Sequence, residues 1–106
     1  LHQNGSLPTI VTGDFNAEPN EPVYKTITQR YASSYSQVLL NEPSYTNWTW
    51  RQDEEEVKQT LDYIFYNDKF TTASILDTYC DQKSGPFPNC IYPSDHLSLV
   101  AKFIFI

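Results

Sequence analysis

The chain has 106 residues, 40% of them hydrophobic and 15% aromatic, which is enough for one packed domain and argues against disorder. Its 7 Lys and Arg against 13 Asp and Glu leave a formal charge of −6, which argues against a basic nucleic-acid-binding module. No apolar run approaches the ~20 residues of a membrane span, so no membrane partner is expected.

The sequence contains no Met, so Leu1 is read as an internal position and residues 1–106 as a single domain cut from a longer chain. Leu7 to Thr12 (LPTIVT) is a β-branched run and predicts a short strand buried on both faces. A helix follows, with Asn20 as its N-cap and Glu21 and Pro22 in its first turn. Val23, Ile27 and Tyr31 share its packing face, and Arg30 sits near its C-terminus, where the helix dipole favours a cation. Residues 33–40 suit a second short helix or a turn. Residues 41–59 are irregular by pattern, and the run Asp53-Glu54-Glu55-Glu56 reads as a solvated loop tip.

Thr60 to Tyr66 (TLDYIFY) is a strand with Leu61, Tyr63 and Phe65 on one face and Asp62 and Ile64 on the other. Residues 71–78 predict a further strand. Residues 79–93 form a loop punctuated by Gly85, Pro86, Pro88 and Pro93. Leu97 to Ile106 is apolar on both faces apart from Ser98 and Lys102, as a central strand would be. Cys80 and Cys90 leave both a disulfide and free thiols open. Intracellular usage favours thiols and a cytoplasmic setting, with mitochondria as the alternative. The sequons at Asn4 and Asn47 matter only in a secreted protein.

Three segments place an acidic residue beside a strand end or inside an apolar strand: Gly13-Asp14-Phe15-Asn16, Leu61-Asp62-Tyr63 and Ser94-Asp95-His96. A carboxylate in TLDYIFY is costly to bury unless paired, and His96 opens the next core strand. A carboxylate that fixes an imidazole tautomer is how acid–base sites are built. Gathered at one sheet end, three carboxylates, one amide and one imidazole suit a divalent cation and a phosphate. Each residue also has a plain structural reading. Asp14 is then a turn residue, Asp62 caps a backbone amide, His96 is a structural histidine, and Ser94-Asp95 is a turn.

GDFNAEP, TLDYIFY and YPSDHLSLVAKF resemble the C-terminal half of the endonuclease/exonuclease/phosphatase superfamily. Glu21-Pro22-Val23-Tyr24, and Tyr45-Thr46 before Trp48, make the likeness greatest to its nocturnin and carbon-catabolite-repression deadenylase branches. The resemblance implies an α+β fold: half of a two-sheet β-sandwich flanked by helices, as in DNase I. It also implies a Mg²⁺-dependent phosphoesterase. Asp14 would activate the attacking water and Asn16 would donate to the phosphoryl oxygens. Asp62 would orient His96, His96 would contact the scissile phosphate, and Asp95 would contact the metal.

The implied substrate is an adenine-nucleotide phosphate, such as the 2′-phosphate of NADP(H), with the 3′ end of poly(A) RNA as the alternative. Arg51, with Lys58 assisting, would bind the nucleotide phosphate. An ion pair with the neighbouring acidic run is the plain reading of Arg51. Trp48 and Trp50 would stack on adenine or belong to the core. The family's principal metal-binding Glu lies in an N-terminal half that these residues do not include, and Glu18 follows the motif too closely to replace it. The missing half is therefore an expected partner. An inactive binding module that presents its bare sheet is the other expectation.

Overall fold

The computed structural model describes residues 7–51, 55–78, 86–89 and 93–106. Cys80, Cys90, Asn4, Asp53 and Glu54 lie outside the described residues. In chain order the elements are β1 (Ile10–Asp14), α1 (Pro22–Ile27), β2 (Ala32–Ser33), α2 (Ser34–Leu39), β3 (Asn47–Trp50), β4 (Glu56–Gln59), β5 (Asp62–Tyr66), β6 (Phe70–Leu76) and β7 (Val100–Phe105). Among the described residues all strand pairs are antiparallel, in three sheets ordered β1-β5-β2, β3-β4 and β6-β7. The class is α+β, as in a DNase I-like fragment.

β5 organises the fold because its alternation is the clearest in the chain. Leu61, Tyr63 and Phe65 are buried, and Asp62 and Ile64 are half-buried. Aromatic rings close over the buried face. Tyr24 of α1 lies 5.2 Å from Tyr63 and 6.1 Å from Phe65, and Phe15 meets Phe65 edge-on at 5.2 Å. α2 sends Tyr35, 2% exposed, between the last two strands. Its hydroxyl donates to the Leu76 carbonyl at 2.6 Å and accepts the Val100 N–H at 2.9 Å, so one side chain ties β6 to β7.

Several expectations need correction. β1 starts at Ile10 and is exposed over most of its length, because it is an edge strand with β5 as its one neighbour. The N-cap of α1 is Glu21, with Pro22 at the first helical position, and Asn20 stays outside. Proline there pre-sets the helical φ angle, which makes a side-chain cap unnecessary. α1 ends at Ile27, so Arg30 and Tyr31 lie beyond it and Lys25 is the cation of the last turn. Val23 is exposed, and Tyr24 takes the packing role instead.

The segment read as irregular holds the β3–β4 hairpin. Glu56 belongs to β4 rather than to a loop tip. The alternation there is hidden because both faces carry aromatic or polar residues. β7 pairs only with β6 among the described residues, and Val100, Ile104 and Phe105 are exposed, so it is not a covered central strand. Ile10, Leu76, Val100, Ile104, Phe105 and Ile106 are exposed.

Tyr35→Phe keeps the buried ring but leaves the Val100 N–H without its acceptor. The expected loss is about 1–3 kcal/mol in urea unfolding, with faster hydrogen exchange at the Val100 amide. Unchanged stability and exchange would show that the hydroxyl does not join the two strands.

Candidate active site

Register brings the polar residues together. β1 and β5 pair so that Asp14 stands opposite Asp62 at the end of the ladder. Two like charges directly opposite destabilise a strand pair unless a cation or proton lies between them. The chain turns sharply just there. Gly13 has φ +147°, a conformation open to glycine, and Asn16 has φ +50°, which asparagine tolerates better than most residues. The Asn16 N–H donates to Asp14 Oδ1 at 2.7 Å, so Asp14 is a turn residue through one oxygen and keeps Oδ2 for other partners. Behind the turn, the Tyr63 hydroxyl donates to the Ala17 carbonyl at 2.7 Å. Burial, and then the charge of Glu42, push the Tyr63 phenol up, so it remains a donor.

His96 enters from the other side. Its backbone bridges to Asn47 of β3, and its N–H donates to Ser94 Oγ at 3.1 Å, which makes Ser94-Asp95 the expected turn. Asn47 Nδ2 and the Trp48 N–H both donate to the Asp95 carbonyl, at 3.0 and 3.1 Å. Asn47 is 5% exposed and committed to this bond, so its sequon is closed in the folded chain.

The imidazole meets three carboxylates. Nδ1 lies 2.8 Å from Asp62 Oδ2, while Nε2 lies 3.8 Å from Asp14 Oδ2 and 4.0 Å from Asp95 Oδ1. A carboxylate only accepts hydrogen bonds, so Nδ1 carries the proton toward Asp62. Burial alone lowers the His96 pKa and is the largest single influence. The Asp62 hydrogen bond, with the charges of Asp62, Asp95 and Asp14, outweighs it, and the net result is raised above 6.5. The protonated ring then presents Nε2–H to the open side of the cluster.

Asp14, Asp62 and His96 offer ligand atoms that all lie within 4.8 Å of one another. The hydrogen bond to His96 occupies Asp62 Oδ2, which leaves Asp14 and Asp95 to supply oxygens on the Nε2 side. One or two carboxylates with water is the donor set Mg²⁺ prefers, so the residues present fit that ion.

The two proposed substrate-binding residues sit elsewhere. Arg51 lies past the end of β3, four residues from Asn47 and so about 13 Å along the strand. Its guanidinium folds back, with Nη2 3.5 Å from Oε1 of Gln59, the residue opposite Asn47. Lys58 lies on the other face of the hairpin, its ammonium 4.0 Å from the Trp48 ring centre. Trp48 is buried with Tyr45, Phe87 and Leu97, so it is a core residue, while Trp50 is exposed. Sequence reasoning missed Thr46 and Asn47. The available signal was a pair of small polar residues within an aromatic stretch.

In metal-free buffer, an NMR titration of His96 is expected to give a midpoint above 6.5, and Asp62→Asn should bring it down. The stability contributed by the protonated ring is fully present below pH 6.5 and fades as pH rises through the folded-state midpoint. A midpoint at or below 6.5 in the wild type contradicts this electrostatic picture.

Residues 1–96 match the profile of the endonuclease/exonuclease/phosphatase family. Mouse (Mus musculus) nocturnin is 42% identical over 99% of this chain, which covers 26% of that protein. Drosophila melanogaster nocturnin is 36% identical over 93% of the chain, covering 20% of its length. A probable CCR4-Not complex 3′-5′-exoribonuclease subunit Ccr4 from Vairimorpha ceranae is 36% identical over 96% of the chain and 24% of its own length. The chain thus spans about a quarter of these relatives. With a family profile matched over nearly all of its length, and an Asp-His-Asp cluster at the end of the β1–β5 pair, this chain belongs to the endonuclease/exonuclease/phosphatase family of hydrolases.

Proposed function

We propose that the chain is the C-terminal part of a Mg²⁺-dependent phosphoesterase domain that hydrolyses a phosphate ester of an adenine nucleotide, the 2′-phosphate of NADP(H) in particular. The observation that carries this reading is the imidazole of His96 held by Asp62 at 2.8 Å with two further carboxylates beyond its other nitrogen. In the reaction a water oxygen bonds to phosphorus and the bond to the ester oxygen breaks. Asp14 Oδ2 orients that water and takes its proton. The Asn16 amide donates to a phosphoryl oxygen as charge builds there. Asp62 keeps His96 in one orientation, and His96 Nε2–H donates to the scissile phosphate. Asp95 would hold Mg²⁺, which when bound supplies charge neutralisation at the phosphate.

The 42% identity to a nocturnin supports an adenine nucleotide, and the exposed Arg51 guanidinium, folded toward Gln59, supports a phosphate contact beyond the reacting centre. We further propose that the rest of the domain covers the apolar surface of β1, β6 and β7. That the chain spans about a quarter of its relatives supports this. The likeness to a Ccr4 exoribonuclease subunit supports a second reading, removal of 3′-terminal adenylates from RNA.

The test uses the parent polypeptide with Mg²⁺, NADPH and poly(A) assayed side by side. Asp14→Ala and His96→Ala are each expected to lower turnover at least ~10²-fold, and chelation of the metal should abolish it. Turnover within threefold of wild type for either variant rules out the assigned role.

Arg51→Ala should lower kcat/KM on NADPH by about 10- to 100-fold, the range for a charged hydrogen bond, and should change poly(A) cleavage little. Arg51→Lys should restore only part, since an ammonium cannot form the bidentate fork. Robust adenylate release without NADPH hydrolysis decides for the exoribonuclease.

A further inference from the structure

Thr46 is fully buried, 0% exposed, and lies in no regular element. All its polar groups are nevertheless engaged at the site's foundations. Its N–H donates to the Gln59 carbonyl at 2.9 Å, and its carbonyl accepts the Leu97 N–H at 2.7 Å. Its hydroxyl oxygen accepts two backbone N–H groups, those of Leu61 at 2.9 Å and Asp62 at 3.2 Å. One residue therefore grips Asp62 itself on one side and the neighbour of His96 on the other. These segments are 34 residues apart in sequence, and their side chains meet at 2.8 Å.

A catalytic hydrogen bond of that length needs both backbones fixed to a fraction of an ångström. Asn47 and Trp48 secure the Asp95 carbonyl, and β5 at Asp62 needs a link of its own. The Thr46 hydroxyl supplies that link. The N–H groups of Leu61 and Asp62 lie where β5 begins, and Thr46 Oγ1 is the acceptor they share.

We infer that Thr46 is a positioning residue for the Asp62–His96 pair, its buried hydroxyl setting the start of β5 so that the Asp62 carboxylate receives His96 Nδ1–H. The inference rests on the reading of His96 as part of a phosphoesterase site. Thr46 touches neither the phosphate nor the water in this account and acts only through Asp62.

The experiment compares Thr46→Val and Thr46→Ser in the parent polypeptide. Valine keeps the shape and removes the acceptor, whereas serine keeps the acceptor. Two readouts go beyond fold stability: the kcat-against-KM split on NADPH or poly(A), whichever the wild type cleaves, and the downfield proton resonance of the hydrogen-bonded His96 Nδ1–H. Thr46→Val is expected to lower kcat at least ~10-fold with KM within about twofold, and to shift or lose the resonance. Thr46→Ser should stay within about threefold of wild type and keep it. If the valine variant does not fold, Thr46→Cys, whose thiol is a weak acceptor, carries the same comparison. A folded variant without the hydroxyl whose kcat and resonance match wild type overturns the inference. A wild type that cleaves no phosphoester overturns the proposed function instead, and the resonance alone then decides the role of Thr46.

Discussion

The hydrogen bond between Asp62 and His96 is the constraint on which the rest of the site depends. Asp62 lies in a strand whose other residues are apolar or aromatic, and its side chain is only 16% exposed. A carboxylate so placed strongly favours a charged partner. The register that positions Asp62 also brings Asp14 opposite it, and the turn before His96 adds Asp95. Three carboxylates around one imidazole repel one another and attract positive charge. A protonated histidine satisfies part of that demand, and a divalent cation suits the remainder.

The same chain is weakly self-sufficient elsewhere. The rings on β5 are covered by Tyr24 of α1, by Phe15 and by Phe103, whereas Ile10, Leu76, Val100, Ile104 and Phe105 face solvent. In the proposed account the remainder of the domain covers them and brings further metal-binding groups to the cluster.

Much of the site was legible in the sequence because its residues break local rules. Asp62 in TLDYIFY and the Gly-Asp-Phe-Asn turn each sit where apolar patterning predicts something else, and such exceptions concentrate at functional positions. β5 was legible because buried Leu61, Tyr63 and Phe65 alternate with half-buried Asp62 and Ile64. The β3–β4 hairpin was not. Its faces mix Trp48 with Lys58 and Thr49 with Val57, so no period of two emerges. The exposure of β1 and β7 was hidden for a different reason: apolar composition reports what a strand is built to pack against, whether or not that neighbour is present. The N-cap of α1 was misplaced because Pro22 sets the helix start without a capping side chain. Thr46 was read only as part of the Tyr45-Thr46 likeness, because its hydroxyl's bonds to the Leu61 and Asp62 N–H groups join segments distant in sequence.

The central claim is that water, positioned beside His96, attacks phosphorus. The most direct measurement is hydrolysis of NADPH by the parent polypeptide with Mg²⁺ in ¹⁸O-labelled water, with the released phosphate read by ³¹P NMR. The account predicts one ¹⁸O in the inorganic phosphate and none in the nucleotide product. Label in the nucleotide hydroxyl, or no release of phosphate at all, would contradict it.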